Sequence, residues 1–236
     1  MAQTPPGGTP AAPLESDSPA RGPLHGHGRG TGERSTDSST TRRPYAATRY
    51  LETHHGILSY AELAPLLAEH VANTEQDIAE RRLTTHRFDD TLLELHRRIC
   101  ADLIPAMAGR WRTLNVCVGA HTPPPYWTIP AHMRDYAADL QARLSQGADT
   151  PTEQLIEDLA FAEGRLLHLH PFEDFNGRVT RLFLIELLYR LELPIIDPAT
   201  DPGTPTQTYF AALRAYDRHN PNPLIKLWRQ RFEQAI

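Results

Sequence analysis

Twelve consecutive residues hold most of the groups in this chain that could do chemistry: His170-Pro171-Phe172-Glu173-Asp174-Phe175-Asn176-Gly177-Arg178-Val179-Thr180-Arg181. The apolar run that follows marks the end of this segment as the entrance to a buried helix. A helix N-terminus leaves N–H groups unpaired and carries partial positive charge, so it attracts anions. Asn176-Gly177 permits backbone conformations that turn successive N–H groups inward as an anion nest. Arg178 and Arg181, three apart, add guanidinium groups that match phosphate oxygens in bidentate fashion, each charged hydrogen bond being worth about 1.5–3 kcal/mol. Asp174 is a hard oxygen donor suited to Mg²⁺ held by one carboxylate plus phosphates. His170 titrates near neutrality and so can take a proton from a hydroxyl nucleophile. A base, a metal ligand, an anion nest and two arginines suit phosphoryl or nucleotidyl transfer.

Helices must position these groups. Residues 58–83 carry Leu63, Leu66, Leu67, Val71 and Ile78 at helical spacing, with Pro65 near the helix start. Residues 92–104 form a second helix that Pro105 ends. Residues 129–144 form a third. Thr150-Pro151-Thr152-Glu153 is a start signal, with a threonine cap, proline at the first helical position and glutamate three after the cap. Residues 181–193 are apolar on nearly every side, as in a helix enclosed by others. A last helical region begins near Thr206 and resumes after Pro221 and Pro223. One stretch breaks the pattern: Leu114, Asn115, Val116, Cys117 and Val118 alternate in polarity, then meet Gly119 and three prolines, 123–125. That predicts a small β-hairpin flap. The fold class is all-α. Residues 1–44 hold seven of the 14 glycines and seven of the 21 prolines, and they are expected to form a disordered tail before a helical domain over 45–236.

The twelve-residue segment resembles the signature of the Fic/Doc family, His-x-Phe-x-Asp/Glu-Gly-Asn-Gly/Lys-Arg-x-x-Arg, and departs from it only where Phe175 replaces glycine. The resemblance implies a Fic-type helical bundle and a protein adenylyltransferase that moves AMP from Mg-ATP to a Tyr, Thr or Ser hydroxyl. It implies His170 as general base, Asp174 as Mg²⁺ ligand, and Asn176, Gly177, Arg178 and Arg181 as the phosphate site. Phe172 would anchor the loop. Residues Leu114, Asn115, Val116, Cys117 and Val118 would dock a target protein by strand addition. Gly177, where the phosphorylating branch has lysine, favours nucleotidyl transfer. A glycine at 175 could take a positive φ that phenylalanine adopts at a cost of about 1–2 kcal/mol. The nest is expected to survive with the ring packed outward.

Many members of the family carry an inhibitory helix, Ser/Thr-x-x-x-Glu-Gly/Asn, whose glutamate pairs with the position of Arg181. Glu163-Gly164 has Leu159 four residues before it, and Thr74-Glu75-Gln76-Asp77-Ile78 in the first helix fails the pattern as well. Restraint then falls to a separate antitoxin-like partner or to a segment outside that pattern, or it is absent.

A formal charge of −5 excludes nucleic-acid binding through bulk charge. No run is long and apolar enough for a membrane helix, and the N-terminus lacks a basic-then-apolar export signal. Two cysteines, Cys100 and Cys117, exclude a disulfide scaffold and suit a reducing cytoplasm. His168 is two residues from His170, and residues two apart on a helix face apart, so it is expected to pack or be solvated rather than ligate a metal. The other histidines are expected at the surface. Tyr209 and Tyr216 are expected in the core, and Trp111, Trp127 and Trp228 in packing roles. Two alternatives to AMP transfer stay open: transfer of phosphate or another nucleotide on the same scaffold, and an inactive nucleotide-binding or partner-binding module.

Overall fold

The computed structural model describes residues 50–145, 152–196 and 206–235, together with the backbone of 41–42. The remainder of the expected tail, and the cap at Thr150-Pro151, lie outside the described residues. Seven α-helices are described: α1 (Tyr60–Ala79), α2 (Phe88–Cys100), α3 (Ile129–Arg143), α4 (Thr152–Leu169), α5 (Asn176–Arg190), α6 (Thr206–Asp217) and α7 (Asn222–Ala235). Four short strands accompany them: β1 (Thr41–Arg42), β2 (Tyr50–Thr53), β3 (Gly56–Ser59) and β4 (Asn115–Val116).

Helix α5 is the axis. Its Val179, Leu182, Phe183, Leu184, Ile185, Leu187 and Leu188 are buried, and α1, α2 and α4 pack around it. Burial on every side explains why its sequence lacks a polar face. Helices α6 and α7 close the far side of α4. There Glu163, 1% exposed, accepts from Tyr209 Oη (2.6 Å), Trp228 Nε1 (2.8 Å) and Arg231 Nη1 (3.1 Å). A buried carboxylate is tolerated because each oxygen has partners. Gly164 is required by close packing, since a Cβ there would lie 2.5 Å from the Tyr216 ring.

Helix α1 begins at a capping box: the Ser59 hydroxyl accepts from Glu62 N–H, while the Glu62 carboxylate accepts from Ser59 N–H at 2.8 Å. Its bounds sit inside the expected 58–83, and Pro65 falls within the helix. In front of it lies an element that periodicity does not reveal, the antiparallel hairpin β2–β3, turned at Gly56 with φ 96°. Its strands are four residues long, and within them only Leu51 is fully buried, so the two-residue alternation is weak.

The expected flap exists in reduced form. Its strand spans two residues, and Val118 and His121 exchange both backbone hydrogen bonds at 2.9 Å across a tight reversal at Gly119. Along its edge β4 pairs in parallel with β1, Thr41 opposite Asn115 and Arg42 opposite Val116.

Candidate active site

A six-residue connection joins α4 to α5, bracketed by two residues in the left-handed region, His170 (φ 47°) and Phe175 (φ 62°). Non-glycine residues there store strain, a feature that concentrates at functional sites. The surroundings hold both ends in place. His170 N–H bonds Leu166 O at 3.0 Å, ending α4, and Val179 N–H bonds Phe175 O at 3.0 Å as the first bond of α5. The amides of residues 176–178 therefore head α5 without an intrahelical acceptor.

Phe175 does not plug this end. Its ring is 1% exposed and packs into the core beside Tyr60 and His96, at centroid distances of 6.4 and 6.5 Å. It thus packs inward, not outward as expected. Apolar burial of about 1.5–3 kcal/mol offsets the backbone cost. The ring also backs Arg178, whose guanidinium carbon sits 5.9 Å from it and 5.6 Å from the Tyr60 ring.

The Asn176 side chain has a structural role. Its side chain folds back on the loop, Oδ1 accepting from Phe172 N–H (2.9 Å) and Nδ2 donating to Phe172 O (3.0 Å), with 4% exposure. It shapes the loop and leaves only its backbone amide to face an anion. Phe172 is the expected anchor: it is 1% exposed and stacked on His96 at 4.1 Å, the ring planes within 2°. Gly177 has open space before it, since a Cβ there would meet nothing within 4 Å. That vacant volume at the positive end of a helix fits phosphate oxygens.

Asp174 is 6% exposed and its Oδ1 accepts from Phe175 N–H at 2.9 Å. One hard carboxylate beside an anion cradle fits Mg²⁺, which takes few protein ligands and shares phosphate oxygens.

The Leu167 backbone beside the His170 imidazole favours the protonated ring, but burial outweighs it. Burial, followed by the Arg112 charge, pushes its pKa down to about 3. The ring is thus neutral at physiological pH.

Both arginines of the segment meet α1. Arg178 Nη1 donates to Tyr60 Oη at 2.8 Å, and Arg181 Nη2 lies 2.6 Å from Glu75 Oε1. Glu75 thus makes the contact that the inhibitory pattern predicts, from a helix whose local sequence, Val71-Ala72-Asn73-Thr74-Glu75-Gln76, lacks the pattern's flanking residues. The packing of α1 against α5 brings the pair together.

Two positioning residues carry no local signal. Arg112, 3% exposed, donates from Nε to His170 O (2.8 Å), from Nη1 to Leu114 O (3.0 Å) and from Nη2 to Pro124 O, and its own N–H bonds Pro171 O (2.9 Å). One guanidinium therefore ties both sides of the flap to the loop that joins α4 to α5. Burial lowers its pKa to about 10, which keeps it charged. His96 is the second and corrects the expectation that the remaining histidines lie at the surface. It is 0% exposed, accepts from Gly109 N–H at Nδ1 (3.0 Å) and stacks on Phe172 of the loop. Burial drives its pKa down to about 4, so it acts as a neutral staple between α2 and the loop. Hydrogen bonds to distant backbone atoms, absent from any spacing rule, select these residues.

Within the flap Val116 is buried, and Leu114, Asn115, Cys117 and Val118 are half-buried. Asn115 Oδ1 accepts from Tyr126 N–H at 3.0 Å, closing the return. Trp127 is 65% exposed beside this return, not packed as expected, whereas Trp228 is fully buried. His168 is not idle packing: its Nδ1 lies 3.0 Å from Asp217 Oδ1.

No described helix is long and apolar enough to cross a membrane. Residues 87–188 match the model of the Fic/DOC family. The chain is 32% identical over 147 residues to the protein adenylyltransferase fic-1 of Caenorhabditis elegans, covering 62% of this chain and 27% of that protein. The chain thus spans about a quarter of the length of the curated relatives it matches. Its fold is that of the Bep8 FIC domain, a VirB-translocated effector of Bartonella sp. 1-1C (TM-score 0.65, 15% identity, 78% of this chain and 91% of that one). It is likewise that of BepC from Bartonella tribocorum with bound AMPPNP (TM-score 0.60, 19% identity, 79% and 93%). With a matched sequence, a shared fold and the signature loop seated at the head of α5, the chain carries a Fic/DOC family domain at residues 87–188.

Proposed function

We propose that this domain is a protein adenylyltransferase that moves AMP from ATP to a Tyr, Thr or Ser hydroxyl of a target protein. The observation that carries this reading is the open volume before Gly177 at the head of α5, with His170 and Asp174 on the same short loop. The relatives named protein adenylyltransferases and the AMPPNP bound by BepC support ATP as the substrate.

In this reading the amides of residues 176–178 and Arg178 hold the α- and β-phosphates, and Arg181 orients the γ-phosphate. Asp174 would hold Mg²⁺, which supplies charge neutralisation across the phosphate oxygens when bound. The neutral His170 nitrogen takes the proton of the target hydroxyl as its oxygen attacks the α-phosphorus. The bond from that phosphorus to the β-bridging oxygen breaks, and pyrophosphate leaves. Residues 114–118 would hold the target segment, and the parallel pairing of Thr41–Arg42 with β4 supports an edge that accepts extended chain.

The Glu75–Arg181 pair favours restraint in cis over a separate antitoxin-like protein. While the glutamate holds Arg181, that guanidinium is withheld from the γ-phosphate, and nucleotide sits in a less productive pose. A cytoplasmic site of action, in the producing cell or after delivery, accords with the need for ATP.

Labelled ATP tests the reaction. With target proteins present, α-label is expected to reach protein and γ-label is not, and His170→Ala is expected to abolish transfer while Mg-ATP binding persists. Transfer of γ-label would make the protein a phosphotransferase. Binding without any transfer would make it an inactive nucleotide-binding module.

A further inference from the structure

Three side chains outside the phosphate site meet at one point: His121 from the flap return, His168 from the last turn of α4 and Asp217 from the end of α6. Among the described residues they are the group of His, Cys, Asp and Glu whose ligand atoms all lie within 4.8 Å of one another. His168 Nδ1 is 3.0 Å from Asp217 Oδ1, and His121 Nδ1 is 3.7 Å from the same oxygen. Two ligands about 2.0–2.1 Å from a tetrahedral ion stand about 3.4 Å apart, so these two distances bracket the edge of a formed site. The side chains are 15%, 19% and 22% exposed, sheltered but reachable.

The orientation of His121 is the second observation. Its Nε2 lies 2.9 Å from the His168 carbonyl oxygen, so it donates there and presents the Nδ1 lone pair to the cluster. Ligating histidines are oriented in this way, the far ring nitrogen bonded to a backbone carbonyl. His168 also lines a surface cleft together with Asp139, Arg165, Tyr216 and His219.

We propose that His121, His168 and Asp217 bind one divalent transition-metal ion of the zinc class, with solvent in the fourth position. Two imidazoles and one carboxylate suit a borderline cation such as Zn²⁺ or Co²⁺ and disfavour Mg²⁺ or Ca²⁺, which take oxygen ligands. Without metal, Asp217 and His168 share a hydrogen bond; the ion takes the place of that proton. The three ligands come from the flap, α4 and α6, so the ion clamps the flap to the helical body two residues upstream of His170.

The test uses the full chain, stripped with a chelator and titrated with Zn²⁺ by calorimetry and with Co²⁺ by visible absorption. Expected are one ion per chain, cobalt bands of tetrahedral intensity, and no displacement by millimolar Mg²⁺. Asp217→Asn keeps the shape and removes the anionic ligand, and His121→Ala removes the flap ligand; each is expected to weaken binding at least tenfold. His55→Ala and the double variant His25→Ala/His27→Ala leave it unchanged. At about a hundredfold excess over Kd, Zn²⁺ is expected to raise Tm by about 5 °C or more, and not to do so in Asp217→Asn. The metal-free Tm of that variant reports whether it folds. If wild type and Asp217→Asn bind alike, if binding follows the tail histidines instead, or if no ion binds below millimolar concentration, the proposal is overturned.

Discussion

Arg112 Nε lies 2.8 Å from the carbonyl oxygen of His170, and the same guanidinium reaches Leu114 and Pro124 on opposite sides of the flap. The flap and the loop that begins at His170 are therefore held in register by one buried cation. A planar fork with five donors serves three carbonyls at once, which an ammonium group does not.

Arg112→Lys keeps the charge and loses the fork. Target modification is expected to fall at least tenfold while ATP affinity holds, because the proposed phosphate site is drawn from residues 174–181. Arg112→Ala leaves three buried carbonyls without a donor and is expected to cost about 3 kcal/mol or more in denaturant unfolding. A Lys variant with wild-type turnover would remove Arg112 from this role.

Glu75→Gly removes the carboxylate that pairs with Arg181. Target or self-modification with α-labelled ATP is expected to rise about tenfold or more, equivalent to about 1.4 kcal/mol of competition removed. The pair is partly exposed, 22% and 32% at its side chains, so its loss costs folding about 1 kcal/mol or less. An unchanged labelling rate would show that Glu75 does not restrain the site.

Phe175→Gly restores the family's residue and relieves the left-handed strain, yet it is expected to destabilise the protein. Removing a fully buried ring costs about 3–5 kcal/mol, against about 1–2 kcal/mol of strain relieved. The net loss, about 1–4 kcal/mol, is read as a lowered urea midpoint. Arg178 also loses its aromatic backing, so ATP affinity is expected to drop. A stabilised Gly variant would refute this balance.

His96 makes stability depend on pH. Its folded pKa of about 4 lies below the ordinary histidine value, so between about pH 4 and 6.5 the unfolded chain binds more protons. The stabilisation is complete above about pH 6.5 and fades as pH falls toward 4, at about 1.4 kcal/mol per pH unit from this group. The unfolding free energy is expected to be about 2 kcal/mol lower at pH 5 than at pH 7 on this account. His96→Gln is expected to flatten that slope, measured by urea titration across pH. His170, lowered in the same direction, adds to the trend.

Much of the site was legible as a string because its chemistry is local: His170, Asp174, Gly177, Arg178 and Arg181 sit on one loop and the first helical turns, where spacing fixes neighbours. The helices could be read for the same reason, as apolar periodicity reports burial of one face or, for α5, of all faces. Hairpin β2–β3 was hidden because its strands bury almost nothing, and the orientation of Phe175 because a dihedral angle, not a residue type, decides where its ring goes.

Alone, then, the residue order determined which groups could cradle a phosphate and where the central helix begins. Only the tertiary structure decided that Glu75 of α1 reaches Arg181, that Arg112 pins His170 to the flap, and that His121, His168 and Asp217 converge. Those contacts join residues 47 to 106 positions apart. Such separations leave no periodicity to read, since packing of whole helices, rather than their internal spacing, brings the partners within a hydrogen bond's length.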